Sequence, residues 1–239
     1  MRLINRNCWR GNRIGGDGLV ARVMRPLVLL LLLCGVMSTV AVAQKYPSRP
    51  IRMITATTVG SGPDVIARLL AARLTESLGQ QIVVDNRAGA SGLIGAELVA
   101  RAAPDGHTLW MATMTQLIST TLYQRFVMAN EFAPVGQVAS TPFVIAVSAG
   151  VPTIMETVPG YELVGWYGLL APLNTPKDIV ERINLELAKA LKISDLQERL
   201  IAVGAEAAHT SPAEYGAFLR RETVRWSKVL KDAGIKPVP

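Results

Sequence analysis

From Arg49 onward the chain alternates short apolar runs with longer stretches in which apolar residues return every three or four positions. The run Ile51-Arg52-Met53-Ile54, leading into Thr55-Ala56-Thr57-Thr58, reads as a strand feeding a loop. That loop is Val59-Gly60-Ser61-Gly62-Pro63-Asp64. Pro63 suits the first helical position, where a missing N–H costs nothing. Ile66, Leu70, Leu74 and Leu78 then recur at four-residue spacing, with Arg68, Arg73 and Glu76 on other faces, and Gly79 ends the predicted helix. Gln81 to Asp85, containing Ile82-Val83-Val84, reads as a buried strand. Asn86 to Gly92 is a second glycine-containing loop, Leu93 to Ala102 a second helix, Pro104-Asp105-Gly106 a turn and Thr108 to Ala112 a third strand. Strand, helix, strand, helix, strand predicts a parallel α/β sheet.

A further apolar strand is predicted over Pro142 to Ser148. The last third reads as mostly helical. Thr175-Pro176-Lys177-Asp178 carries a cap, a first-turn proline and an acidic third residue, and Ile179, Ile183, Leu187 and Leu191 continue it. Ser211-Pro212-Ala213-Glu214 repeats that signature, followed by Tyr215, Phe218, Leu219, Trp226, Val229 and Leu230 on one face, with Gly234 as the stop.

The N-terminal stretch follows another pattern. Arg22, Met24 and Arg25 precede the apolar run Leu27 to Met37, which ends in the small residues Ala41-Val42-Ala43. This is the layout of a secretory signal, and it predicts cleavage after Ala43, with a membrane anchor over the 17 uncharged residues Leu27 to Ala43 as the alternative; Met24 would itself make a compact start. Removing residues 1–43 changes the charge picture. The chain carries 25 Lys and Arg against 18 Asp and Glu, but six of the former and one of the latter lie before Gln44. A nearly neutral remainder offers no electrostatic footprint for nucleic acid. Both cysteines, Cys8 and Cys34, also fall in the leader, so a chain starting at Gln44 has no disulfide and no thiolate. After cleavage no membrane insertion is expected.

Candidate chemistry gathers in the two loops. Gly60-Ser61-Gly62-Pro63-Asp64 places backbone N–H groups at a helix start beside the hydroxyls of Ser61, Thr57 and Thr58. Such a terminus attracts carboxylate or phosphate, because its donors and its dipole both favour negative charge. The alternative is an ordinary strand-to-helix turn. In the second loop Gly89, Gly92 and Gly95 are spaced G-x-x-G-x-x-G, neither a dinucleotide fingerprint nor a Walker loop. Ligands of open α/β sheets bind outside the carboxyl ends of the strands, so both loops can face one site. Thr113 and Thr115, just past the third strand, add hydroxyls. Asp64 is expected to orient its loop or meet a ligand amine, since it would repel a carboxylate. The only histidines, His107 and His209, read as surface or packing residues, and no base and nucleophile pair suggests an enzyme. No cofactor and no metal site is predicted. Trp110, Trp166 and Trp226 read as core or edge packing, with a cleft position as the alternative for Trp166.

Taken in order, Tyr46-Pro47-Ser48-Arg49-Pro50-Ile51, Gly60-Ser61-Gly62-Pro63-Asp64, Asn86 to Glu97 and Ala103-Pro104-Asp105-Gly106-His107-Thr108-Leu109 resemble the substrate-binding component of tripartite tricarboxylate transporters, the Bug-type family. Phe132-Ala133-Pro134-Val135, Trp166 to Pro172, Thr175-Pro176, Trp226-Ser227-Lys228-Val229 and Ala233-Gly234-Ile235-Lys236 resemble its later part. The resemblance implies a two-lobed periplasmic protein that closes on a carboxylated small molecule and passes it to membrane permease subunits. It implies that Phe143 to Val147 and Leu163 to Leu169 are the crossings to the second lobe, of which only Ser148 to Glu162 remains, with the junction near Pro152. The expected organisation is a signal at 1–43, the first part of lobe 1 at 44–142, the crossovers and residual connection at 143–170, and the C-terminal helical part of lobe 1 at 171–239. The fold class is therefore α/β, periplasmic-binding-protein-like, with one parallel-sheet lobe nearly complete. The expected ligand-binding residues are Thr57, Gly60, Ser61, Gly62, Asp64, Gly89, Ala90, Ser91, Thr113 and Thr115. Ser61, Ala88 and Ser91 depart from the family's usual glycine, proline and glycine, and His107 from its tyrosine, so the ligand's identity does not carry over. The expected function is carboxylate binding for uptake, impaired by an internal deletion; the alternatives are a single-lobe protein-interaction module and a non-functional remnant.

Overall fold

The computed structural model describes residues 46–143 and 163–236. The expected signal segment, both cysteines and the Pro152 junction lie outside them. None of the described helices is long and apolar enough to cross a membrane. The elements run β1 (Ile51–Thr55), α1 (Gly62–Leu78), β2 (Ile82–Asn86), α2 (Leu93–Ala100), β3 (Thr108–Thr113), α3 (Met114–Leu122), α4 (Met128–Glu131), β4 (Phe132–Pro142), β5 (Val164–Pro172), α5 (Lys177–Ala190), α6 (Ser194–Ala202), β6 (Glu206–Ala207) and α7 (Pro212–Asp232).

The strands form one sheet in the order β2-β1-β3-β5-β4-β6. The parallel expectation holds for β1 with β2 and β3. It is corrected for the other half, where β5 is antiparallel to β3 and to β4, and β6 is antiparallel to β4. Parallel neighbours need a crossover connection, which the helices after β1 and β2 provide, whereas β4 and β5 lie side by side as an antiparallel pair. The main-chain N–H of Phe143 donates to the carbonyl of Leu163 at 3.0 Å, so the two strands stay paired to the last described residues.

Helices cover both faces of the sheet, which explains strands that are apolar at consecutive positions. Met53, Leu109 and Met111 face α1, α5 and α6 and pack with Ile66, Leu70, Leu74, Ile183, Leu187 and Leu200. Ile54, Trp110 and Ala112 point the opposite way, into a second core with Ala96, Val99, Leu117, Tyr215 and Leu219 from α2, α3 and α7. Successive strand residues alternate faces, so one β3 segment serves both cores. Shortening a fully buried Leu74 to Ala in such a core costs about 2–5 kcal/mol.

Ser211 and Glu214 form a reciprocal capping box: the N–H of Glu214 donates to Ser211 Oγ, and the N–H of Ser211 donates to Glu214 Oε2 at 2.8 Å. Thr175 does not cap α5. Its hydroxyl donates to the carbonyl of Pro172 at 2.7 Å, closing the preceding turn, and the helix starts two residues later at Lys177. β4 begins ten residues before Pro142 and ends there; of the strand expected over Pro142 to Ser148, Val144 to Ser148 lie outside the described residues. The expected crossing Leu163 to Leu169 falls largely within β5.

Candidate functional site

Each of the parallel strands β1, β2 and β3 runs at its carboxyl end into a turn and then a helix, and the three turns face one another. The first turn is tied down by Asp64, which is buried. Gly60, at φ 80°, aims its N–H at Asp64 Oδ2 over 2.8 Å. Arg68 Nε reaches the same oxygen, and Asn86 Nδ2 donates to Oδ1 at 2.9 Å. Asn86 also donates to Thr55 Oγ1 at 2.8 Å. One carboxylate therefore fastens the loop, the first helical turn and the end of β2 together. Burial pushes the Asp64 carboxyl up, but Arg68, the Gly60 N–H and the Asn86 amide together hold it below the usual carboxylate range. Ser61 Oγ donates to the carbonyl of Thr58 at 2.7 Å and stands 3.1 Å from Thr57 Oγ1, so this hydroxyl braces its own loop and does not cap α1.

The second turn runs through four consecutive residues of positive φ: Gly89 at 126°, Ala90 at 45°, Ser91 at 54° and Gly92 at 91°. A Cβ on Gly92 would lie 2.6 Å from Gln116 Cγ, and one on Gly95 would lie 2.7 Å from Ala56 Cβ. These two positions admit no side chain, and their bareness lets α2 start against the end of β1. The third turn carries a capping box between Thr113 and Gln116: the N–H of Thr113 donates to Gln116 Oε1 at 2.9 Å, and the N–H of Gln116 donates to Thr113 Oγ1. Gln116 Nε2 also donates to the carbonyl of Ala56 at 3.3 Å, which links the third turn to the first.

Between these turns lies a cavity of about 550 Å³. Of the expected site residues, Thr57, Ser61, Gly89, Ser91, Thr113 and Thr115 line it. Gly60, Gly62, Asp64 and Ala90 do not. The Gly60 N–H is used by Asp64, the Asp64 oxygens are turned into the loop, and Gly62 is covered by the Tyr167 hydroxyl, 3.7 Å from where its Cβ would stand. Asp64 thus orients the loop, and the ligand amine contact considered for it has no access.

The opposite wall was less visible in the sequence. Phe143, Trp166 and Tyr167 supply it, with Thr141 and Gly165. Trp166 borders the cavity but is a core residue, its ring packed edge-on against Tyr215 and Phe218 and its Nε1 donating to Glu222 Oε2 at 3.4 Å. Trp226 Nε1 donates to the same oxygen at 3.2 Å. Burial pushes the Tyr167 phenol up, so it remains a neutral group at ordinary pH. Gln116, Ser119 and Tyr167 were missed. Gln116 had a legible signal, since Thr113-x-x-Gln116 is a capping-box spacing; nothing in the sequence marked the β5 residues as neighbours of the β1 turn. His107 sits at the entrance of β3, the end away from the cavity, packed edge-on against Tyr46. The lining contains hydroxyls, one carboxamide, backbone N–H groups and aromatic rings, and among the described residues no charged side chain.

This mixed α/β fold matches solved structures of periplasmic binding proteins. The structure of the periplasmic binding protein BugD matches it with a TM-score of 0.71 at 22% identity, covering 80% of this chain and 99% of that one. MatC from Rhodopseudomonas palustris, solved with bound malate, matches with a TM-score of 0.69 at 22% identity, covering 77% of this chain and all of that one. Residues 66–158 match the tripartite tricarboxylate transporter family receptor. A UPF0065 protein of Bordetella bronchiseptica is 26% identical over 322 residues, covering 92% of this chain and 96% of the relative. Because that alignment is longer than this 239-residue chain, about a hundred positions of the relative have no counterpart here. Over these stretches the chain is similar to the Bug-type family of tripartite tricarboxylate receptors.

Proposed function

We propose that the protein is a periplasmic solute-binding receptor for small carboxylates, exported by its leader and serving the permease subunits of a tripartite tricarboxylate-type transporter, with affinity reduced because its second lobe is largely missing. The observation that carries the reading is the convergence of three helix N-termini, those of α1, α2 and α3, on one uncharged, hydroxyl-lined cavity. Each helix dipole favours an anion by about 0.3–1 kcal/mol, and the free backbone donors of a helix start suit a carboxylate. The malate bound to MatC supports a carboxylate as the ligand class. The unmatched hundred positions of the Bordetella bronchiseptica relative, beside the pairing of β4 and β5 up to Phe143 and Leu163, support an internal loss. Hinge closure in two-lobed receptors supplies contacts from both sides and excludes water. If the absent half contributed about 4 kcal/mol, affinity would fall roughly a thousandfold.

Thermal-shift and calorimetric titration of the purified protein with malate, citrate, succinate and benzoate tests this. Saturable one-to-one binding in the millimolar range is expected. Micromolar binding would refute the impairment, and no binding of any carboxylate would refute the ligand class. A single-lobe interaction module is the second reading, favoured by the exposure of Val59 and Phe143 near the cavity mouth. Retention of an intact permease on the immobilised protein, with no carboxylate binding, would select it.

A further inference from the structure

The hydroxyls around the cavity divide by whether the protein already uses them. Three are spent as donors: Ser61 Oγ on the Thr58 carbonyl at 2.7 Å, Ser119 Oγ on the Thr115 carbonyl at 2.9 Å, and Thr141 Oγ1 on the Gly204 carbonyl at 2.7 Å. Thr57 Oγ1 stands 3.1 Å from Ser61 Oγ, and Thr113 Oγ1 accepts from the N–H of Gln116. The hydroxyls of Thr58, Ser91, Thr115 and Tyr167 have no hydrogen-bond partner among the described residues.

Tyr167 differs from the other three. Thr58, Ser91 and Thr115 are exposed on turns, where water serves their hydroxyls. Tyr167 is half-buried on a strand, opposite Thr113 in the β3–β5 ladder. Its ring packs against the first core, on the α1 side of the sheet, and its hydroxyl reaches over Gly62, the first residue of α1, at the edge of the cavity. Packing therefore fixes where this hydroxyl stands. A tyrosine hydroxyl withdrawn from water ordinarily finds a partner. In a poorly hydrated place its bond to an anion is stronger than the same bond in water. Burial keeps the phenol neutral, so it stays a donor at ordinary pH and adds no negative charge beside an anion. The N-cap residue Ser61 makes no side-chain bond to α1, so no protein hydroxyl answers the positive end of that helix beside Tyr167.

Building on the carboxylate reading above, we infer that the Tyr167 hydroxyl is the donor that seats the ligand's carboxylate beside the start of α1. Ser61, which the glycine-rich loop brings to attention in the sequence, braces that loop instead. The contact comes from β5, and no spacing within the three turns points to it.

The test is titration of the purified protein with malate, followed by NMR on tyrosine labelled with carbon-13 at Cζ, a readout that reaches millimolar and weaker binding. Tyr167→Phe keeps the packed ring and removes only the hydroxyl. It is expected to weaken malate about tenfold, as the loss of one hydrogen bond to a charged acceptor predicts, and to move Tm by less than about 1 °C. In the parent protein, the Cζ resonance that Tyr167→Phe deletes is expected to shift as malate saturates. Equal affinity of parent and variant, or a resonance that stays still at saturation, overturns the inference and leaves carboxylate binding intact. Should the variant melt lower than expected, the Cζ resonance of the parent decides alone. Absence of malate binding to the parent overturns the carboxylate reading and this inference with it.

Discussion

Replacing Asp64 tests whether one buried carboxylate organises the first turn. Asp64→Ala removes the acceptor for Gly60 N–H, Asn86 Nδ2 and Arg68 at once. Arg68 is half exposed and regains water, so its share is small. The two bonds from Gly60 and Asn86 are made to a charged acceptor, each worth about 1.5–3 kcal/mol, and partial access to water lowers their sum to about 3 kcal/mol. For a compact unit of this size, 1 kcal/mol moves Tm by about 2–4 °C, so the variant should melt about 6–12 °C below the parent at pH 7. Asp64→Asn keeps an acceptor but turns one amide N–H toward a donor, and should fall between the two. The pH dependence has a definite sign. The folded-state pKa of Asp64 lies below its unfolded value, so its contribution is complete above the unfolded pKa of about 3.9 and disappears as pH falls through the folded value. The gap between parent and Asp64→Ala should therefore be constant from pH 8 to 5 and narrow below pH 4. Melting by circular dichroism across that range is the assay. A gap under about 1 °C at pH 7, or one unchanged by acidification, would refute the anchoring role.

Three further outcomes are expected. Gly95→Ala should destabilise by about 1–3 kcal/mol in urea titration, because its Cβ would meet Ala56 Cβ at 2.7 Å, although glycine to alanine inside an unobstructed helix stabilises by about 1 kcal/mol; a stabilised variant would show that α2 simply shifts. Glu222→Leu leaves the indole N–H groups of Trp166 and Trp226 without their acceptor and should cost about 1–3 kcal/mol for each one kept from water, whereas Glu222→Gln retains an acceptor oxygen and should cost less; equal destabilisation of the two variants speaks against the shared acceptor. Gln116→Ala dismantles the capping box of α3 and its link to Ala56, with an expected loss of about 1–2 kcal/mol, and an unchanged Tm would show that water replaces both contacts.

Where a signal depended only on neighbours in sequence, it was legible. The α1 periodicity, its Pro63 and Gly79 ends and the Ser211–Glu214 box are all set by local spacing, and they stand where expected. The first three strands were readable because a doubly covered parallel sheet demands unbroken apolar runs, as in Ile82-Val83-Val84. β4 was not readable as a strand: Pro134, Gly136 and Gln137 interrupt its apolar pattern at the places where its register with β5 shifts. In the site, the loops around Ser61 and Ser91 announce themselves by glycine and proline. Tyr167 reaches the β1 turn only because β5 lies beside β3, a neighbourhood created by sheet order and absent from any local spacing.

The pairing of Phe143 with Leu163 makes the outer end of β4 and β5 an attachment port. Because the two strands hold each other, the rest of the sheet is mechanically indifferent to the length of chain strung between them. Loop-closure cost grows only with the logarithm of length, so extending the stretch 144–162 from about twenty residues to about 120 would cost the host only about 1.6 kcal/mol. A folded insert whose own ends lie one strand spacing apart would cost less. In evolutionary terms, such a port lets segments be gained or lost in a single recombination event while the host lobe goes on folding, and it makes this position the natural place to graft a foreign domain onto the protein.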